Sequence, residues 1–103
     1  MGLLERFGAG LQKARKSRGL TQADFSIVSS RTYLSSLERG LKAPTISKID
    51  EISSVMEVHP LALLALAYLP ETDEQRKELW ARVHAEIQSF DRIFPDKRGA
   101  DET

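Results

Sequence analysis

Apolar residues recur along this chain at spacings of three and four, and no stretch sustains the strict alternation of a half-buried strand. Leu4, Phe7, Leu11 and Ala14 mark the buried face of a first helix, with Gly8 and Gly10 weakening it and Gly19 ending it as a left-handed terminating residue. Thr21 offers an N-cap, with Asp24 three residues on, and Phe25 and Val28 would face inward from a short second helix. Ser29-Ser30 caps a third helix, about 30–39, with Leu34 and Leu37 inward and Gly40 at its end. Thr45 caps a fourth, which places Ile46, Ile49, Ile52 and Met56 on one face. His59-Pro60 introduces a mostly apolar fifth helix from about Leu61 to Leu69, stopped by Pro70. Thr72 and Gln75 have capping-box spacing ahead of a longer sixth helix running to about Phe90. The expected fold class is all-α.

Composition narrows the setting. The chain has 103 residues, 41% of them hydrophobic and 29% charged, which suits a small globular domain with an appendage. It has no cysteine, so disulfides and thiolate metal sites are excluded. The longest apolar run, Leu61 to Leu69, falls far short of a membrane span. The N-terminus has no basic region leading into an apolar core, so no signal peptide is expected. These features together read as a cytoplasmic protein without a membrane partner. The tail 95–103 is charged, nearly free of apolar residues and expected to be disordered.

The formal net charge is zero, yet the two halves differ. Residues 1–48 carry nine Lys/Arg against three Asp/Glu, and residues 49–103 carry six against twelve. A basic half approaches a polyanion while an acidic half turns away. Solvated helix faces in a small protein give the same totals, and charge alone leaves both readings open.

The pair of short helices between Thr21 and Arg39 is more informative. Two helices joined by a tight turn have the layout of a helix-turn-helix, whose second helix enters the major groove of DNA N-terminus first. The outward residues of that second helix are Ser30, Arg31, Thr32, Ser35, Ser36 and Arg39, hydroxyls and cations suited to base edges and phosphates. A capped surface helix with ordinary polar residues is the plainer alternative.

The stretch Arg15-Lys16-Ser17-Arg18-Gly19-Leu20-Thr21-Gln22, then Ser30-Arg31-Thr32-Tyr33-Leu34-Ser35-Ser36-Leu37-Glu38-Arg39-Gly40, resembles the Cro/CI-type (XRE) helix-turn-helix transcriptional regulators. Lys42-Ala43-Pro44-Thr45-Ile46 through Val58-His59-Pro60-Leu61 continues the likeness, which covers about residues 3–69. It implies a lambda-repressor-like five-helix DNA-binding domain over 1–70, followed by an additional C-terminal amphipathic helix over 71–94. It also implies double-stranded DNA as partner and binding as a homodimer. One departure stands out: Ala23 to Ser30 is shorter than the family's usual spacing and lacks its turn glycine, so the second helix or the turn must be contracted.

The resemblance assigns roles residue by residue. Arg31 and Thr32 match positions that reach base edges, and Ser36, one turn beyond Thr32, shares that assignment. Tyr33 meets a base or a phosphate, or else fills the helix interface. Gln22, Ser30, Ser35, Arg39, Lys42 and Thr45 fall where the family grips phosphates, although Gln22 also reads simply as a solvated first-turn residue. Arg15 and Glu38 match a structural ion pair that locks the first helix to the third. Leu79, Trp80, Val83, Ile87 and Phe90 form an amphipathic stripe on the sixth helix. It packs on its own subunit or on a second one, and two-fold symmetry favours a dimer interface.

No chemistry beyond binding is indicated. His59 and His84 share no metal-ligand spacing, and neither a phosphate-binding glycine loop nor a Ser/His/Asp set can be read, so no cofactor and no enzyme activity are expected. The resulting expectation is a sequence-specific regulator on a palindromic operator, a repressor or autoregulator. Two alternatives stand beside it. One is an antitoxin-like or adaptor protein that captures a partner protein of unknown identity. The other is a restriction–modification controller.

Overall fold

Helix α1, Leu3–Ser17, forms where the first three-and-four pattern lies, with Phe7 and Leu11 buried and Leu4 and Ala14 half-buried. The computed structural model describes residues 1–93. The tail 95–103 and the last residue of the 71–94 segment lie outside the described residues. Among the described residues there are five α-helices, one 3-10 helix and no strand.

Gly8 is buried in α1 because a neighbouring helix crosses there. A Cβ at this position would sit 2.5 Å from the Glu38 carbonyl oxygen and closer still to that of Leu37. The helix then turns out through Gly19 at φ +71, with the Leu20 N–H donating to the Arg15 carbonyl at 3.2 Å.

The expected second helix is replaced by a four-residue 3-10 helix, η1, Gln22–Phe25, followed by consecutive turns. Asp24 Oδ2 accepts from the Thr21 N–H at 2.7 Å, closing its start. Ser26 and Val28 donate to carbonyls three residues back, at 3.1 and 3.0 Å. A 3-10 helix rises about 2.0 Å per residue against about 1.5 Å in an α-helix. The contracted segment therefore spans its gap by winding more tightly, which buries Phe25 and leaves Val28 half-buried.

Helix α2, Arg31–Glu38, starts where Ser30 Oγ accepts from the Tyr33 N–H at 3.1 Å. It ends in a paired cap: Leu41 donates to Ser36 at 2.9 Å, Gly40 to Leu37 at 3.1 Å, and Gly40 has φ +73. Helix α3, Ile46–Met56, is capped by Thr45 Oγ1, which accepts from the Lys48 N–H at 3.1 Å. It closes through Glu57, a non-glycine residue at φ +58. Ile49, Ile52 and Met56 are buried as expected, but Ile46 is 87% exposed. It occupies the first helical position, before the inward face has come round.

Helix α4, Pro60–Ala65, is shorter than the apolar run that encodes it. His59 Nδ1 accepts from the Leu61 N–H at 3.0 Å at its start, and residues 66–68 continue as turns. Leu63 and Ala67 are buried whereas Leu61 is exposed. The core joins Phe7 and Leu11 of α1, Phe25 of η1, Leu34 and Leu37 of α2, Ile49, Ile52 and Met56 of α3, and Leu63 of α4. Within it α1 packs chiefly on α2, and α3 on α4.

The chain divides into two units, Met1–Tyr68 and a second beginning at Leu69, two residues earlier than the sequence boundary. The second unit contains α5, Asp73–Ile93, which runs past Phe90. Thr72 Oγ1 accepts from the Gln75 N–H at 3.1 Å at its start. Trp80, Val83, Ile87 and Phe90 are exposed along it, Leu79 is half-buried and His84 is exposed. No helix among the described residues is long and apolar enough to cross a membrane.

Candidate nucleic-acid interface

The site is built on a buried ion pair. Arg15 projects from α1 to the C-terminal end of α2, where its Nε donates to Glu38 Oε2 at 2.6 Å and a terminal nitrogen donates to Oε1 at 2.9 Å. The other terminal nitrogen donates to the Leu20 carbonyl at 2.9 Å. Two parallel bonds fix angle as well as distance, so the fork orients α2 against α1. The hydrogen bond to Glu38 holds the Arg15 guanidinium above its ordinary range; burial opposes this and the neighbouring negative charge reinforces it. Gln22 Nε2 also donates to Glu38 Oε1, at 3.2 Å, so one carboxylate ties α1, η1 and α2 together.

In front of this pair lies a polar groove of about 370 Å³ lined by Gln22, Arg31, Thr32, Ser35 and Arg39. Arg31, Thr32 and Arg39 are exposed, and Gln22 and Ser35 are half-buried. At about 100° per residue, Arg31, Ser35, Arg39 and Thr32 occupy one continuous arc of α2. Residues that the sequence assigns separately to bases and to phosphates thus come together on one surface.

The remaining assigned residues sit as follows. Ser30 and Thr45 are exposed, each with its side-chain oxygen engaged in capping a helix. Lys42 is exposed, its ammonium 5.6 Å from the centre of the half-buried Tyr33 ring. Ser36 departs from expectation. It is buried, and its hydroxyl donates to the Thr32 carbonyl at 3.0 Å. Four residues along an α-helix advance about 40° beyond a full turn, which carries Ser36 off the outward arc that ends at Thr32.

One neighbour of the site escaped the sequence reading. Lys48, near the start of α3, donates from its ammonium to the Val28 carbonyl in the turn before α2. The same ammonium lies 5.9 Å from the Tyr33 ring centre. These contacts join residues twenty and fifteen positions apart, and no local pattern encodes them.

Comparison with known proteins bears on family and fold. The family described as Helix-turn-helix matches residues 11–63, about half of the chain. The chain is 33% identical over 66 residues to the HTH-type transcriptional regulator y4dJ of Sinorhizobium fredii, an uncharacterised protein by its own description. That match covers 62% of this chain and 86% of the relative. The crystal structure of the clp gene regulator ClgR from Corynebacterium glutamicum aligns with a TM-score of 0.61 at 22% identity. It covers 93% of this chain and 98% of that one, a likeness of fold.

Proposed function

This chain belongs to the Cro/CI-type helix-turn-helix family of DNA-binding transcriptional regulators, and from that premise we propose that it binds a palindromic operator as a homodimer and represses transcription, its own included. In this reading α2 lies in the major groove of double-stranded DNA, inside the cytoplasm, without cofactor or catalysis. The observation that carries it is the single polar surface formed by Gln22, Arg31, Thr32, Ser35 and Arg39. An arginine at the entering end of a helix pairs bidentately with guanine O6 and N7, and Thr32 beside it meets an adjacent base edge. Tyr33 contacts a base or its methyl group. Gln22, Ser30, Ser35, Arg39, Lys42 and Thr45 grip phosphates on either side. Ser36, buried and internally bonded, takes no part.

The stripe on α5 supports the dimer reading. Trp80, Val83, Ile87 and Phe90 expose a row of large apolar side chains at helical spacing, a surface that a second copy covers most simply. Repression needs only occupancy of a promoter. The stripe equally suits an adaptor that captures another protein, and the test separates the two roles.

The test is selection of duplexes from a random-sequence library by the full chain, followed by mobility shifts at two salt concentrations. The expected product is an inverted repeat with half-sites about 10 bp apart, centre to centre. Its affinity should fall steeply with salt as phosphate contacts release counterions. A library that stays random at low ionic strength, together with a stable complex with another protein, would replace the regulator reading with the adaptor one.

A further inference from the structure

The turn before α2 is contracted, lacks a glycine, and follows a 3-10 helix rather than an α-helix. The Arg15–Glu38 fork orients the C-terminal end of α2, and the turn at its N-terminal end has a separate tether. Val28 lies in that turn, two residues before the cap residue Ser30, and its carbonyl accepts from the Lys48 ammonium. Lys48 belongs to α3, whose apolar face is embedded in the core through Ile49 and Ile52. Its stem is therefore anchored on a rigid element while its tip holds the turn. Glu51 Oε2, 3.4 Å away, flanks the same ammonium from one helical turn further on. On the other side, the Tyr33 ring in the first turn of α2 lies near both Lys48 and Lys42, whose ammoniums are 5.9 and 5.6 Å from its centre.

We infer that Lys48 is a positioning residue for DNA recognition: its ammonium pins the Val28 carbonyl and the Tyr33 ring, and so fixes the pose of α2 that presents Arg31 and Thr32. This rests on the DNA-binding reading above. The contact anchors the contracted, glycine-free turn on α3. The Lys48 ammonium donates to the Val28 carbonyl and is flanked by the Glu51 carboxylate at 3.4 Å, so its donors are engaged within the protein and its charge is partly offset. Lys48 therefore contributes little to phosphate attraction, in contrast with the outward Lys42.

Two measurements on the full chain test this. The first needs no DNA: amide exchange across residues 26–33 in Lys48→Met, which keeps the stem and removes the charge, and in Lys48→Arg, which restores a donor. Exchange should quicken about tenfold in Lys48→Met and return toward the native rate in Lys48→Arg, with the amides of α1 unchanged. Equal protection in all three proteins overturns the inference. The second uses the duplex selected by the native chain and an unrelated duplex of the same length. Lys48→Met should narrow the preference between them about tenfold while leaving the salt dependence of binding unchanged. A uniform loss on both duplexes with a shallower salt slope would instead make Lys48 a phosphate contact. If the native chain selects no duplex, the regulator reading fails, while the exchange measurement still decides whether the pin operates.

Discussion

Arg15 and Glu38, 23 residues apart, form a two-bonded ion pair that is buried on both sides. Breaking such a pair strands the surviving charge, so Arg15→Ala or Glu38→Ala should cost about 3–5 kcal/mol in chemical denaturation. Exchanging both for apolar residues of similar size should cost far less, and the double-mutant cycle isolates the coupling. The sign with pH is also fixed. A guanidinium raised above its ordinary range contributes its full stabilisation below that range and loses it only as pH climbs through the raised value. The Arg15 contribution should therefore stay constant in unfolding experiments across neutral and mildly alkaline buffers.

Much of this arrangement can be read from the chain because its signals are local. Ser30, Thr45 and Thr72 all cap helices through the side-chain oxygen, and Gly19 and Gly40 both take positive φ. Each depends on residues within a turn of the position concerned. What cannot be read depends on distant partners or on small angular offsets. The 3-10 winding of η1 answers a contraction that the sequence assigns equally to the helix or to the turn. Ser36 misses the outward arc by a fraction of a helical turn. Glu57 closes α3 in the conformation usually left to glycine, so no glycine marks that end. Lys48 reaches Val28 across twenty residues.

Gly8 and Glu57 give opposite expectations for substitutions that look alike. Gly8→Ala should raise intrinsic helix propensity by about 1 kcal/mol yet destabilise the protein, because its methyl would collide with the Leu37 and Glu38 carbonyl oxygens. Glu57→Gly should stabilise by about 0.5–1 kcal/mol, since it relieves a left-handed backbone at an exposed site. Thermal unfolding followed by circular dichroism checks both.

Among the hydroxyls and cations of α2, binding should separate by role. Arg31→Ala should cost about 1–3 kcal/mol on the selected duplex and relax preference at one base position. Lys42→Ala should weaken all sequences alike and reduce the salt slope by about one. Ser36→Ala should leave base preference unaltered, because the Ser36 hydroxyl is already engaged by Thr32. Titrations against duplexes mutated one base pair at a time distinguish the three outcomes.

The α5 stripe predicts a change of assembly. Trp80→Glu or Ile87→Glu places a charge amid exposed apolar side chains. Either variant should convert a dimer to a monomer in sedimentation velocity and weaken the inverted repeat far more than a single half-site. A native chain that sediments as a monomer at every accessible concentration would remove the dimer from the proposal.

The exposed arc of α2 carries one further implication. Arg31, Thr32 and Arg39 project outward and contribute no side chain to the interior, which is sealed behind them by Leu34, Leu37 and Glu38. In the proposed reading, Arg31 and Thr32 carry target choice, and folding is thus written in other letters of the same octapeptide, Arg31–Glu38. Mutational drift can rewrite the first set with little penalty to the second, so a lineage built on this scaffold is free to acquire new addresses in a genome without having to invent a new protein.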